Sequence, residues 1–315
     1  MIALTPPTHD DIWYDQHTQL TKNQWIHSDT YDQQHYFQKL QLHIKALGSS
    51  TRTAIICGLA AATILGIPVL NLNCRTTVDL TLPGNKQPPS RDQWPPIANY
   101  RCSTLSNSDW STINCLRTTT PERTFVDICV LNGELEALAF IEAALNMGYQ
   151  KEQFLWYLDQ RRCEWGTTKA RKVLERARYG IDSVWETFAH HLVTRAYPKE
   201  TIAAQAQIPI QKPNDFFTKS RVDLLLFDWL VIEIDGRQKY HGTTTNDATI
   251  LLAERLREVS ILNHGYQILQ FHPWELQSKL LPTIERVRRQ NPKRISPAKH
   301  TIPDLSEPPS WYAYR

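Results

Sequence analysis

Two apolar runs separated by a short break at Phe227-Asp228 lie within residues 219–236, which read KSRVDLLLFDWLVIEIDG. Runs of this length and composition predict two neighbouring strands joined by a tight connection. Side chains of a strand alternate between its faces, so Glu233 and Asp235 are predicted to share one face, beside Asp223 on the neighbouring strand. Like charges on one face repel each other and lose hydration, and a cation such as Mg²⁺, held by oxygen ligands, relieves both effects.

The acidic residues also form a recognisable motif. Asp223 is followed ten residues later by Glu233-Ile234-Asp235-Gly236, and then by His241. This pattern resembles the metal-dependent PD-(D/E)XK endonuclease superfamily, and specifically its branch similar to the very-short-patch repair endonuclease, also known as DUF559. The resemblance covers residues 181–280. The broader superfamily has a Lys two positions after the Glu, whereas this chain has Asp235, as members of the branch often do.

The resemblance implies an activity and the residues that carry it. The implied activity is hydrolysis of a phosphodiester bond in DNA, with Mg²⁺ or Mn²⁺ as the cofactor. Asp223, Glu233 and Asp235 would be the metal ligands, and Asp235 could instead orient the attacking water. Glu186 and His241 would be further catalytic residues.

Several of these residues also have a purely structural interpretation. Glu186 follows Ser183 at the spacing of a capping box, which would satisfy the carboxylate without any chemistry. Asp235 could simply set up the turn at the end of its strand. His241 and the nearby Lys239 could contact the scissile phosphate, or they could be merely exposed in a loop.

Basic residues are candidates for contacts with nucleic acid. Arg257, on a helix predicted after the motif, could contact the phosphate backbone and brace the site, or it could lie on an ordinary exposed helix face. Residues 161–178 carry seven Lys and Arg against two Glu, and Arg171 and Lys172 lie in this segment. Residues 285–299 carry six Lys and Arg against one Glu. Such segments suit a polyanion such as DNA, or they form a solvated helix face and a tail.

The first half of the chain has its own secondary-structure signals. The run SSTRTAIICGLAAATILGI, which starts at Ser49, predicts a buried helix that begins near Ser50 or Thr51 and ends at Gly66. Residues 77–82 alternate between apolar and polar side chains, as in a strand. Further helices are predicted at residues 121–131, 134–147, 150–161 and 167–179.

A T-x-x-R-T-x-x-D signature runs from Thr120 to Asp127. With the alanine-rich helix before it, the signature resembles the AbiEi-type antitoxin family over residues 46–180. The resemblance implies a toxin or another protein as a possible partner. Members usually begin with a winged helix-turn-helix, and residues 1–45 show no motif for one. Thr120 is predicted to cap a helix, and Arg123 and Asp127 to form an i,i+4 salt bridge worth ~0.5 kcal/mol.

Composition is that of a globular protein. The chain has 315 residues, of which 41% are hydrophobic and 21% charged, and this length accommodates two domains. No apolar run approaches the ~18 residues of a membrane helix, and the N-terminus does not read as a basic-then-apolar signal. The six cysteines include no CxxC pair. We therefore expect a cytoplasmic protein without membrane association, a zinc site or a disulfide framework.

The sequence as a whole predicts an α/β protein of two domains. After a poorly defined segment 1–45, an antitoxin-like region spans 46–180, an endonuclease-like domain spans 181–290, and a basic tail spans 291–315. The second domain is predicted as a restriction-endonuclease-like mixed sheet flanked by helices, which acts on DNA in repair or defence. Two alternatives stay open. One is a non-catalytic antitoxin-like regulator or binding module, and the other is an interaction protein that docks a partner through its basic 161–178 helix.

Overall fold

The computed structural model of the protein describes residues 15–84, 86–211, 217–235, 245–292, 297, 300–309 and 311–312. The chain is mixed α/β, and it divides into two compact units, Met1–Arg176 and Ala177–Arg315. No helix of the described ranges is long and apolar enough to cross a membrane. The assignment of the segments to particular families stays a prediction.

The first unit is built around a mixed five-stranded sheet with the strand order β5-β4-β3-β7-β6, next to a separate β1–β2 hairpin. Strand β3 pairs antiparallel with β4 and parallel with β7. The described strands are β1 (His17–Thr21), β2 (Gln24–His27), β3 (Ile55–Cys57), β4 (Val78–Thr81), β5 (Ala98–Tyr100), β6 (Trp110–Ile113) and β7 (Leu116–Thr119). The described helices are α1 (Ser28–Asp32), α2 (Tyr36–Ser50), α3 (Gly58–Leu65), α4 (Pro121–Leu131), α5 (Glu134–Asn146), α6 (Lys151–Asp159) and α7 (Thr167–Arg176).

The segment that follows α2 differs from the prediction. The single helix predicted from Ser50 is instead a strand, β3, followed by the short helix α3, and Ser50 is the last residue of α2. Ile55 and Ile56 are buried between β4 and β7, and β-branched side chains in such a position favour a strand over a helix. The predicted end at Gly66 is confirmed, because this residue adopts the left-handed conformation with φ 74°.

Residues before position 46 belong to the same core as those after it. The predicted boundary at residue 45 lies inside α2. Leu20 of β1 and Leu47 of α2 share one buried cluster with Ile56 and Val78 of the five-stranded sheet. The N-terminal hairpin and α2 are therefore packed parts of this core.

Helix α4 begins as its sequence predicts. The side chain of Thr120 accepts a hydrogen bond from Arg123 N, and Pro121 occupies the first turn. The predicted salt bridge is confirmed, with 2.9 Å between Arg123 Nε and Asp127 Oδ1. Both side chains are buried, and burial raises the pKa of Asp127 to about 6 although Arg123 opposes the rise. The pair is therefore part of the core and not a solvent-exposed brace.

The second unit contains a mixed four-stranded sheet with the order β13-β12-β11-β8 and a separate antiparallel ribbon of β9 and β10. Strands β8, β11 and β12 are antiparallel, whereas β12 and β13 are parallel. The described strands are β8 (Ile202–Ala204), β9 (Gln207–Gln211), β10 (Phe217–Arg221), β11 (Leu224–Leu226), β12 (Leu230–Ile234) and β13 (Gln267–Phe271). The described helices are α8 (Val184–Ala196), α9 (Thr245–Asn263) and α10 (Leu276–Gln290).

The two strands predicted within residues 219–236 are present as β11 and β12. They form an antiparallel hairpin, and Trp229 N donates to Leu226 O (3.1 Å) across the predicted break. Phe227 and Asp228 both have positive φ, 54° and 62°. The central residues of a tight hairpin turn adopt such angles because the turn then matches the twist of the flanking strands. The hairpin fixes the register that positions the acidic residues.

The C-terminal segment is not simply a tail. Gln207 of β9 and Thr301 exchange two backbone hydrogen bonds of 2.9 and 3.0 Å, and Tyr179 N donates to Leu305 O (2.9 Å). Leu305 is buried in the second unit. The described part of residues 300–312 is therefore an integral part of this unit.

Candidate functional site

The register of the β11–β12 hairpin brings Asp223 and Glu233 together. Leu225 pairs with Val231 and Leu224 pairs with Ile232, so the next position of the same register sets Asp223 opposite Glu233. Residues opposite each other in an antiparallel pair point to the same face of the sheet. In addition, Ile234 N donates to Asp223 Oδ2 at 2.8 Å. Two of the three acids predicted as metal ligands, Asp223 and Glu233, thus share one face.

Arg257 of α9 contacts strands β12 and β10 through its guanidinium group. Its Nη2 atom donates to Glu233 Oε1 (2.7 Å) and to Arg221 O (2.7 Å), and its Nε atom donates to Ser220 Oγ (2.6 Å). These bonds hold one oxygen of Glu233 in place. Arg257 thus contacts Glu233 directly, and its predicted contact with a phosphate backbone stays a prediction.

Glu186 lies near the N-terminal end of α8. Ser183 caps this helix as predicted, because its side chain accepts a hydrogen bond from Glu186 N (3.2 Å). The Glu186 side chain is 5% exposed, and its Oε2 accepts from Asp182 N (3.2 Å) and from Gln205 Nε2 (2.7 Å). In a capping box the Glu186 side chain would accept from Ser183 N, whereas here it accepts from Asp182 N.

Gln205 links Glu186 to the hairpin. Its backbone N donates to Asp223 O (2.9 Å), while its side-chain amide donates to Glu186. The residue is 1% exposed, and within the described residues its Oε1 atom has no hydrogen-bond partner. A buried amide oxygen without a donor is costly, so this atom is available for a water or a cation.

The three carboxyl groups influence one another electrostatically. Burial raises the pKa of Asp223 to about 6, and the Ile234 N–H opposes the rise. Burial, and then repulsion by Asp223, raise the pKa of Glu233 to about 7, although Arg257 lowers it. Burial also raises the pKa of Glu186 well above its ordinary value, with further contributions from Asp223 and Asp182. Asp223, Glu233 and Glu186 therefore form one cluster, defined here as the acidic cluster.

The oxygen donors of the acidic cluster match the preference of a hard divalent cation. Mg²⁺ is ordinarily bound by one or two carboxylates and keeps several waters. Asp223 and Glu233 supply two carboxylates on one face. However, the described parts of the chain contain no group of three His, Cys, Asp or Glu side chains that could hold a metal ion. The two carboxylates of Asp223 and Glu233 match the number that Mg²⁺ ordinarily takes from a protein.

Asp235 lies at the end of β12, where its carboxylate is half exposed. Its backbone N donates to Phe271 O (2.9 Å), and its Oδ2 lies 3.9 Å from His272 Nδ1. The His272 ring stacks on Trp274. His272 is a neighbour of the site that the sequence analysis missed. It directly follows the strand after the motif, and adjacent parallel strands end at the same edge of a sheet, so this signal could have found it.

The remaining predicted residues lie elsewhere. Lys239 and His241 lie outside the described residues. Arg171 and Lys172 lie on α7 of the first unit, where Arg171 Nη2 donates to Asp159 Oδ1 (2.7 Å) and Lys172 is exposed. The structure brings together Asp223, Glu233 and Glu186, with Asp235 at the end of the same strand.

Comparison with known proteins finds no matching family model, no matching curated protein and no matching solved structure.

The chemistry of the acidic cluster follows from its geometry. Two carboxylates with raised pKa values on one face attract a cation, and a carboxyl group with a pKa near 7 accepts or donates a proton at neutral pH.

Proposed function

We propose that the second unit hydrolyses a phosphodiester bond in DNA with Mg²⁺ or Mn²⁺ as the cofactor. The observation that carries the proposal is the position of Asp223 and Glu233 on one face of adjoining strands, where burial raises both pKa values. Burial destabilises both ionised carboxylates, and Asp223 further destabilises that of Glu233, so a divalent cation bound between them would offset these penalties. Perturbed acids grouped in this way are typical of functional sites.

Each residue of the acidic cluster has a role in this proposal. Asp223 and Glu233 would hold the cation with Asp235 as a further ligand, and the cation would supply Lewis-acid polarisation of the phosphate and activation of a water. Arg257 orients the Glu233 carboxylate by a direct hydrogen bond. Glu186, held by Gln205, keeps a proton to higher pH than an ordinary Glu and is suited to exchange it with the reacting groups. The predicted role of His241 stays part of the proposal.

A cleavage assay tests the proposal. Supercoiled plasmid and mismatched duplex DNA are incubated with the full chain in Mg²⁺, in Mn²⁺ and in EDTA. We expect nicking in the metal-containing reactions only. Asp223→Asn and Glu233→Gln keep the shape of each side chain but remove its charge, and each is expected to slow nicking at least about a hundredfold, because metal ligands matter no less than the groups that orient them.

Glu285→Gln is the matched control for the cleavage assay, because Glu285 lies on α10 and pairs with Arg289 at the surface. This variant is expected to nick DNA at the wild-type rate. Nicking that persists in EDTA, or that survives in Asp223→Asn, would contradict the proposal.

A second candidate function is a non-catalytic binding module, such as an antitoxin-like regulator with a protein or nucleic-acid partner. The Arg257–Glu233 hydrogen bond supports it, because a cationic side chain already offsets one of the acidic charges. The same assay separates the two functions. DNA binding that is equal in metal and in EDTA, without nicking in either, would favour the binding module.

A further inference from the structure

A cavity lies on the β9–β10 ribbon. It has a volume of about 350 Å³ and is lined by Gln207, Lys219, Arg221 and Trp311. Arg221 pairs with Gln207 across the ribbon, and Lys219 lies two positions before Arg221, so these three side chains share one face. Ser220, which lies between the two cations, points to the opposite face, where it accepts the hydrogen bond from Arg257.

The C-terminal segment supplies the aromatic wall of this cavity. The pairing of Thr301 with Gln207 directs the chain along the edge of β9. Trp311 then packs against Gly180, where an added Cβ would lie 3.5 Å from the indole nitrogen. Within the described residues, Trp311 Nε1 is buried without a hydrogen-bond partner. The guanidinium carbon of Arg221 lies 5.8 Å from the centroid of the Trp311 ring, so the indole forms an aromatic wall beside this cation.

The charge of the cavity is positive. Arg221 donates to the Asp182 carboxylate, which offsets one positive charge. Lys219 Nζ donates to Thr301 Oγ1 (3.3 Å), and a hydroxyl does not neutralise an ammonium group. In the described part of the chain the two cations thus face a single carboxylate, and an anion is the complementary ligand.

Arg221 also connects this cavity to the acidic cluster. Its carbonyl oxygen accepts from Arg257, which holds Glu233. Its guanidinium group holds Asp182, whose backbone N donates to Glu186. Arg221 is therefore bonded to two residues, Arg257 and Asp182, that themselves contact the acidic cluster.

We propose that this cavity binds one nucleotide of a single nucleic-acid strand, with its phosphate between Lys219 and Arg221 and its base against the indole of Trp311. The volume is near the lower end of ordinary small-ligand pockets, which suits one nucleotide. Aromatic rings stack on bases of any sequence, and basic side chains track the phosphates. The inference rests on the proposed function, because the strand bound here is the one that reaches the acidic cluster.

Binding measurements on the full chain test the inference. An Asp223→Asn background in EDTA prevents cleavage, and fluorescence anisotropy follows a labelled 12-nucleotide single strand. Lys219→Ala and Trp311→Ala are each expected to weaken binding by roughly 5- to 20-fold, in line with the loss of one phosphate contact or one stacked base. Lys199→Ala, which removes an exposed lysine of the α8–β8 connection, is the matched control and is expected to change affinity less than about 2-fold.

Two further readouts separate a binding role from a packing role. Lys219→Ala is expected to lower the slope of log affinity against log salt by about one, because one phosphate contact is lost. The fluorescence of an oligonucleotide that contains 2-aminopurine is expected to be quenched by the wild-type chain but not by a folded Trp311→Ala variant.

Several results would overturn the inference. One is equal affinity of the Lys219→Ala, Trp311→Ala and Lys199→Ala variants for the labelled strand. Another is quenching that survives in Trp311→Ala. A third is binding of free thymidine monophosphate as tight as that of the strand, because the ligand would then be a mononucleotide. The single variant Lys219→Ala, in which Asp223 is unchanged, separates the two proposals. If it nicks DNA and binds the strand as the wild type does, the cavity does not bind the strand, while the proposed hydrolysis still stands.

Discussion

Asp223 and Glu233 show how the fold can hold groups at a cost to its own stability. Both carboxyl groups are buried beside each other, and their pKa values lie above those of ordinary Asp and Glu, at about 6 and about 7. The folded chain thus binds these protons more tightly than the unfolded chain does. Proton binding by the two acids therefore contributes to the free energy of unfolding. This contribution is fully present below about pH 4, and it is lost as the pH rises through 6 to 7.

This linkage predicts how neutral variants behave in the absence of metal. At pH 8 in EDTA, the double variant Asp223→Asn with Glu233→Gln is expected to have a higher free energy of unfolding than the wild type, by on the order of 1–3 kcal/mol. At pH 5 most of the difference is expected to disappear. Urea denaturation at both pH values measures it, and Glu285→Gln is the control. A difference of equal size at pH 5 and pH 8 would rule out titration of these two acids as its cause.

At the scale of elements, local signals succeed where one short segment determines the structure. The start of α8 is an example, because Ser183 supplies the acceptor for Glu186 N. The start of α3 is the opposite case. One helix was predicted from Ser50 onward, whereas Ile55–Cys57 form the strand β3 and the helix begins only at Gly58. Neighbours distant in sequence, β4 and β7, decide that outcome.

The cap of α8 gives a prediction at this scale. Ser183→Ala removes the N-cap side chain of the helix and is expected to lower the free energy of unfolding by about 1 kcal/mol. Ser278→Ala, at an exposed position inside α10, is expected to change it by less than about 0.5 kcal/mol. Chemical denaturation of both variants measures the difference. Equal stabilities would mean that Glu186 N finds another acceptor at little cost.

At the scale of the whole molecule, the C-terminal segment completes the second unit. It pairs with the edge of β9, buries Leu305 and places Trp311 over the ribbon. An open strand edge with unpaired backbone groups invites association with other chains, and the pairing at Thr301 covers part of that edge. The segment is thus expected to contribute to stability, solubility and the proposed nucleotide cavity.

Two apolar residues of the C-terminal segment test its packing. Leu305 is 7% exposed, whereas Ile302 is 51% exposed. Leu305→Ala is expected to cost about 2–3 kcal/mol in the free energy of unfolding, because it leaves a cavity. Ile302→Ala is expected to cost less than about 0.5 kcal/mol. Thermal and urea unfolding measure both, and a Leu305→Ala variant as stable as Ile302→Ala would show that the segment detaches readily.

The sequence by itself determined those features that depend on a few consecutive residues. These are the mixed α/β class, the β11–β12 hairpin, and the caps at Thr120 and Ser183. Strand alternation and capping are short-range effects, so a local reading reaches them. The tertiary structure alone decided the contact of Arg257 with Glu233, the burial of Gln205 beside Glu186, and the return of Trp311 to β9–β10. These contacts join residues far apart in the chain, and only the packing of complete elements brings such residues together.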